Sequence, residues 1–152
     1  MQTDVLIPVS WRSRPRSFVA LMSLYESSYL RLRALCGEPA LLGGERISRV
    51  EGDCDLALTV IEQTPYTTAL NLSYLLPDAA ADSGYIRFPD LEIRVYSDAR
   101  LAEARRCAAE PRHPVLRNLG AALNSELDRR WVMNVMLNKW LEYCLERGHR
   151  FT

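Results

Sequence analysis

The sequence has almost no lysine: Lys139 is the only one among 19 basic residues, and arginine supplies the rest. Together with the many alanines, this bias indicates a GC-rich genome rather than arginines chosen for bidentate anion binding. The 19 acidic residues bring the formal net charge to zero. No whole-molecule field therefore attracts nucleic acid or an anionic membrane, and nucleic acid is not an expected partner. A net charge of zero gives no electrostatic repulsion between copies of the protein, so a homo-oligomer is one of the expected alternatives.

Long apolar runs are also missing, and none approaches the roughly 20 residues that a membrane helix needs. The first ten residues carry Asp4 but have no basic start and no clear cleavage site, so they do not predict a signal peptide. We therefore expect a cytoplasmic protein without membrane contact.

Metal-binding patterns are absent as well. The four cysteines, Cys36, Cys54, Cys107 and Cys144, form no CxxC pair and have no histidine cluster nearby. This spacing predicts reduced, small apolar side chains and neither a metal site nor another cofactor.

The usual signatures of catalysis are missing too, including the GxSxG elbow, the P-loop, GxGxxG and HExxH. Only two histidines exist, His113 between two prolines and His149 near the C-terminus. A Ser/His/Asp or Cys/His arrangement could still form in three dimensions, but His113 is most simply an exposed loop residue. Enzyme activity stays open, and the sequence favours a non-enzymatic protein.

Two segments show helical periodicity. In the first, apolar residues recur at three- and four-residue steps from Phe18 to Cys36, and Ser13 is the expected N-cap. The second runs from about Ser125 to Arg147, has a broad apolar stripe and ends at Gly148. Residues 1–16 before the first helix predict an extended arm.

The stretch between the helices predicts strands. Alternating or short extended segments are Ile47–Glu51, Asp55–Gln63, Thr67–Leu76, Tyr85–Phe88 as an edge segment broken by Pro89-Asp90, and Leu91–Ser97. Residues 98–107 are ambiguous, because their propensity favours helix whereas the preceding strand favours a hairpin. The order of a helix, four to five antiparallel strands and a helix predicts one α+β domain over residues 1–152. We expect the last helix to cover one face of the sheet.

Three strings in the chain carry a family resemblance. They are Glu62 followed by Tyr66-Thr67-Thr68, then Arg94-Val95-Tyr96-Ser97-Asp98-Ala99 with Ala102-Glu103, and Asp128 followed by Asn134, Leu137, Trp140-Leu141 and Cys144. In this order and spacing they resemble the YqiB-like family of proteobacterial proteins, a domain of unknown function, from about the first helix to Phe151.

The resemblance has three implications. Relatives often carry β-branched residues at positions 101–106, which favours a strand there. Relatives are also encoded near a cyclic-AMP phosphodiesterase and an ADP-ribose pyrophosphatase, which suggests nucleotide metabolism. This chain departs from the family at Ser97, where relatives often have histidine, and at Arg129-Arg130, where an acidic-basic pair is usual. A shared mechanism based on that histidine is therefore disfavoured.

Polar residues within these strings are the candidate site. We expect Arg94, Tyr96 and Glu103 on the sheet to face Arg130 and Asn134 on the last helix, in a pocket for a small anionic ligand such as a nucleotide. Tyrosine could stack on a base. The alternative is structural: cross-strand ion pairs on a wet face, and a buried asparagine bonded to backbone.

Trp131 is the candidate partner surface. It lies nine residues before Trp140, so the two rings point to different sides of the helix, and we expect one of them to be partly exposed. The leading hypothesis is a non-enzymatic domain that binds a small ligand, a protein partner or a second copy of itself in a homo-oligomer. The alternative is a nucleotide-binding or nucleotide-processing protein linked to cyclic-AMP or ADP-ribose metabolism.

Overall fold

The structure is a computed structural model, and it describes residues 17–39, 42–107 and 126–151. The arm predicted for residues 1–16, the loop that contains His113 and the expected cap Ser125 lie outside the described residues. No helix among those described is long and apolar enough to cross a membrane.

The described residues form two helices and one five-stranded sheet. The elements are α1 (Phe18–Cys36), β1 (Glu45–Ser48), β2 (Asp55–Gln63), β3 (Thr67–Pro77), β4 (Tyr85–Tyr96), β5 (Leu101–Cys107) and α2 (Glu126–Arg147). All strand pairs are antiparallel, and the sheet order follows the chain order from β1 to β5. The predicted α+β fold is confirmed, and residues 101–107 are a strand.

The helix ends follow from local chemistry, although α1 begins later than predicted. Ser17, not Ser13, is the N-cap, since its Oγ accepts the Ala20 N–H at 3.0 Å and satisfies a donor that has no partner within the helix. At the end of α2, Gly148 has a φ of +97°. Glycine adopts this left-handed conformation without strain, so the chain can turn back after Arg147.

Two strands differ from the prediction. β1 lies at Glu45–Ser48 rather than Ile47–Glu51, because residues 51–53 turn towards β2. β4 is one strand where Pro89-Asp90 was predicted to break it. Opposite β4, Ser73 pairs with Asp90 and Leu75 pairs with Arg87, so the register shifts around Pro89. A proline at such an irregularity removes no ladder hydrogen bond, and the strand continues.

One face of the sheet carries the core. Its fully buried residues are Leu56, Leu58, Leu70, Leu72, Leu91, Ile93 and Val95. Leu137, Trp140 and Leu141 of α2 join the same apolar cluster, as do Tyr29 and Leu32 of α1. The prediction that the last helix covers a sheet face is therefore confirmed.

The helix α2 is tied to the sheet at both of its ends. Near its start, the Asn134 side chain bonds the backbone of Ala104 on β5. At its end, Arg147 donates to the Gly52 carbonyl in the β1–β2 turn at 2.8 Å. A polar cluster lies at each of these two attachments.

Candidate functional site

The first cluster centres on Glu103, a carboxylate buried on β5 with 5% of its surface exposed. Its Oε1 accepts the Tyr96 hydroxyl at 2.6 Å, which is the one short contact. Arg105 lies 3.4 Å from Oε1 and Arg130 lies 3.6 Å from Oε2. Burial of a carboxylate is costly unless it is well paired, and among the described residues Glu103 has one short hydrogen bond and two longer ion pairs.

The sheet register brings the predicted strand residues together. Arg94 of β4 is the Cα partner of Glu103 on β5, and Tyr96 pairs with Leu101. No ion pair joins Arg94 to Glu103, and the Arg94 Nε is buried without a hydrogen-bond partner among the described residues. Of the predicted strand residues, Tyr96 and Glu103 therefore interact directly, whereas Arg94 only lies beside them.

Asn134 positions the helix against the strand. Its Oδ1 accepts the Ala104 N–H at 2.7 Å, and its Nδ2 donates to the Arg130 carbonyl at 2.8 Å and to the Ala104 carbonyl at 3.5 Å. The side chain is fully buried, so its amide already has backbone partners. Asn134 thus holds α2 against β5 close to Arg130 and Glu103, and it does not line the cleft.

A cleft of about 230 Å³ opens between β5 and α2. Its wall consists of Glu103, Ala104, Arg105, Arg129, Arg130 and Met133, and we call it the Glu103 cleft. The wall therefore carries three arginine side chains and one carboxylate. About 40% of the Arg105 and Arg130 side chains is exposed, so both cations can meet a solute.

Tyr25 of α1 completes the surroundings of this cleft. Its hydroxyl is buried and has no hydrogen-bond partner among the described residues. Glu103 and Arg130 lie near it without the geometry of a hydrogen bond. Burial raises the pKa of Tyr25 to about 12, with the Glu103 charge acting in the same direction. The phenol therefore stays protonated at neutral pH and can donate.

Tyr96 is held in the same protonation state. Burial, followed by its hydrogen bond to Glu103, raises the pKa of Tyr96. Its hydroxyl proton is already engaged with the carboxylate, and Tyr96 does not line the cleft. The base-stacking role predicted for this ring therefore finds no support in the geometry.

The second cluster lies at the other end of α2, around a fully buried His149. Its Nδ1 is 2.9 Å from Ser48 Oγ, and its Nε2 is 2.9 Å from Asp53 Oδ2. The Tyr74 hydroxyl donates to the same Asp53 oxygen at 3.0 Å. We call Ser48, Asp53, Tyr74 and His149 the His149 cluster.

The protonation of Asp53 reflects these partners. Burial by itself raises the pKa of Asp53. Hydrogen bonds from His149, the Cys54 N–H and Tyr74 outweigh that effect, and the pKa lies below the usual aspartate value. Asp53 is therefore an ionised, well-bonded carboxylate at neutral pH.

The His149 cluster contains a Ser/His/Asp arrangement, whose members could not be identified from the sequence. Its geometry indicates a structural role and not a catalytic one. Ser48 is 5% exposed and its Oγ also accepts the Arg150 N–H at 3.1 Å. A surface hollow of about 490 Å³ reaches Asp53 but not Ser48. A nucleophile must reach its substrate, and this hydroxyl instead holds the C-terminal segment against β1.

The predicted exposure of a tryptophan is wrong. Trp131 and Trp140 are each only 7% exposed. Trp140 packs in the sheet core, whereas Trp131 packs with Leu21 and Leu24 of α1. The two rings point to different sides of α2, and both are covered because α1 packs against the side that carries Trp131. Trp131 therefore offers no exposed surface to a partner.

Sequence reasoning missed Tyr25 and the His149 cluster as sites. Tyr25 lies on the apolar periodicity of α1, which predicts a core side chain and not a site residue. The Arg129-Arg130 pair was visible as a departure from the family pattern, and both residues line the cleft. In the sequence, this pair was the feature that could have indicated where basic side chains line a cleft.

The model of a family described as "Protein of unknown function (DUF1249)" matches residues 31–150. The chain belongs to this family. The matched segment holds all five strands, α2 and the five predicted ligand-binding residues, whereas Tyr25 precedes it.

Curated relatives agree with this assignment. The chain is 28% identical over 133 residues to "Uncharacterized protein YqiB" of Escherichia coli strain K12, which covers 86% of this chain and 90% of that protein. The proteins of the same name from E. coli O6:H1 and O157:H7 match equally. No solved structure matches significantly. The resemblance to a YqiB-like family is confirmed, and since these names state no activity, function has to be argued from the site.

Proposed function

We propose that this protein binds a small anion in the Glu103 cleft. The observation that carries the proposal is the wall itself, where Arg105, Arg129 and Arg130 line the same cleft as one buried carboxylate. A guanidinium presents a planar set of donors that suits carboxylate and phosphate groups. Arginine side chains on the wall favour an anion over a neutral or cationic solute.

The size of the cleft limits the ligand. Its volume of about 230 Å³ corresponds to about eight water molecules at liquid density. Pockets for drug-sized ligands usually span about 300–1,000 Å³. A phosphate, a small carboxylate or a short phosphorylated compound therefore suits the cleft better than a dinucleotide does.

The other predicted functions have less support. A nucleotide ligand depended on base stacking by Tyr96, which does not line the cleft. A protein partner depended on an exposed tryptophan, and both rings of α2 are buried. A homo-oligomer and a nucleotide ligand stay predictions. The proposed compartment is the cytoplasm, supported by the free thiols of Cys36, Cys54 and Cys144.

Thermal unfolding of the full chain with added anions tests this proposal, because a ligand that binds the native state raises the Tm. The panel contains inorganic phosphate, L-malate, glycerol 3-phosphate, cyclic AMP and ADP-ribose at about 10 mM and low ionic strength, where screening is weak. We expect the small anions to raise the Tm of the native protein, and titration calorimetry to give a saturable heat.

Paired variants locate the site. Arg105→Gln combined with Arg130→Gln should abolish the shift, because both cations lie on the cleft wall. Arg49→Gln is the matched control, since Arg49 is paired with Asp55 at the β1–β2 end of the sheet, and it should keep the full shift. Absence of a shift for every anion, or an equal shift in the double variant, contradicts the proposal.

A further inference from the structure

We propose that the anion bound in the Glu103 cleft also carries a hydroxyl group beside its charged head, as a hydroxy acid or a sugar phosphate does. This inference rests on the proposed function and adds a chemical class to it. It comes from two groups that simple charge attraction does not use, namely the Glu103 carboxylate of the wall and the Tyr25 hydroxyl that lies beside Glu103 and Arg130.

Glu103 is an acceptor in a site that otherwise attracts anions. Its Oε1 accepts hydrogen bonds from Tyr96 and Arg105, whereas Oε2 lies 3.6 Å from the Arg130 guanidinium, beyond hydrogen-bond distance, with no closer donor among the described residues. A carboxylate offers about four acceptor positions, so Oε2 has room for a closer donor. A bare anion would be repelled at this point, whereas a ligand hydroxyl would donate to Oε2 while the anionic head meets the arginines.

Tyr25 supplies the complementary neutral donor. Its hydroxyl is buried, has no partner among the described residues and lies beside Glu103 and Arg130 of the wall. A buried hydroxyl without a hydrogen bond is destabilising, so such groups usually have a partner in the functional state. The hydroxyl does not itself line the cleft, so a ligand oxygen that reaches it past Glu103 and Arg130, either of the anionic head or of the hydroxyl, would provide that partner.

Matched ligand pairs test the inference on the full chain by titration calorimetry. L-malate is compared with succinate, and glycerol 3-phosphate with n-propyl phosphate, so that each pair keeps its anionic group and differs in hydroxyl content. We expect the hydroxylated member of at least one pair to bind about tenfold more tightly, as for a hydrogen bond to a charged group. The pair that shows this difference identifies the head group as carboxylate or phosphate.

The outcomes separate this inference from the proposed function. Equal affinities within both pairs overturn the inference and leave anion binding intact. Absence of binding by all four compounds overturns the proposed function and the inference with it.

Two conservative variants assign the preference to residues. Tyr25→Phe should weaken binding of the preferred ligand about three- to tenfold, whereas Tyr143→Phe, an exposed tyrosine of α2, should not. Glu103→Gln keeps an acceptor for Tyr96 but removes the charge, so the preference for the hydroxylated member should shrink and plain anions should bind more tightly. Circular dichroism confirms that each variant is folded, and an unchanged preference in Glu103→Gln contradicts the inference.

Discussion

Each end of α2 lies beside a largely buried carboxylate, and the two carboxylates differ in how closely they are bonded. Asp53 in the His149 cluster has partners at 2.9 and 3.0 Å, and the histidine that bonds it is fully buried. Glu103 has one short partner and two half-exposed arginines at 3.4 and 3.6 Å. The well-bonded cluster stabilises the fold, whereas the loosely bonded one suits the anion that we propose as ligand.

The same contrast appears in two tyrosines that are each 7% exposed. The Tyr74 hydroxyl donates to Asp53 and accepts a contact from Cys144 Sγ at 3.5 Å. The Tyr25 hydroxyl has no hydrogen bond among the described residues. Because Tyr25 and Tyr74 are equally buried but differ in hydrogen bonding, substitutions of these two residues test which end of α2 has the structural role.

The largest effect should come from the apolar support of the His149 cluster. Trp140 packs edge-on against Tyr74, with ring centroids 5.5 Å apart. Trp140→Ala should lower the free energy of unfolding by about 3–5 kcal/mol, because it removes a buried ring and leaves a cavity. Urea unfolding measures this, with the exposed Glu146→Ala as control. A loss below about 1 kcal/mol would mean that the ring does not support the core.

The two tyrosines should respond differently to loss of the hydroxyl. Tyr74→Phe leaves Asp53 with fewer donors and should cost about 1–3 kcal/mol. Tyr25→Phe removes a buried hydroxyl that has no partner among the described residues, so it should leave the free energy of unfolding unchanged or raise it by up to about 1–3 kcal/mol. Equal losses in urea unfolding would show that both hydroxyls are structural and would weaken the contrast between the clusters.

The contribution of Asp53 should depend on pH. Its pKa is lower in the folded protein than the usual value near 4. The stabilisation is therefore complete above about pH 4 and is lost as the pH falls through the folded pKa. Between about pH 5 and pH 3, native protein should lose more stability than Asp53→Asn, which lacks the titrating group. Parallel pH profiles for the two proteins would contradict this.

The smallest effect on stability should come from the open end. Arg105→Gln removes a half-exposed ion pair with Glu103, and such pairs contribute about 0–1 kcal/mol. The free energy of unfolding should change by no more than this amount, whereas the anion-induced rise in Tm should become smaller. A loss above about 2 kcal/mol would assign Arg105 to the fold instead of the ligand.

Much of the fold could be predicted because its causes are local. Alternation marked β2 and β3, helical periodicity marked both helices, and Gly148 marked the end of α2. The continuity of β4 through Pro89 could not be predicted, because it depends on a register shift against a neighbouring strand.

The sites depend on contacts that the sequence does not contain locally. His149 lies 101 residues from Ser48 and 96 from Asp53, so only the folded chain reveals their cluster. Glu103 and Arg130 were predicted together, because strand alternation and helix spacing limited which polar residues could meet. The missing partner of the Tyr25 hydroxyl and the burial of Trp131 both arise from the packing of α1, and periodicity alone does not reveal either.

Asn134 has a further consequence for how the protein behaves at high concentration. Its amide bonds both the N–H and the carbonyl of Ala104, as a residue of a sixth strand would. β5 is the last strand of the sheet, and unpaired groups on an outer strand act as a template on which another chain can add a strand and begin to aggregate. A single helical side chain thus occupies the position where edge-to-edge polymerisation would start, beside the cleft that we propose as an anion site.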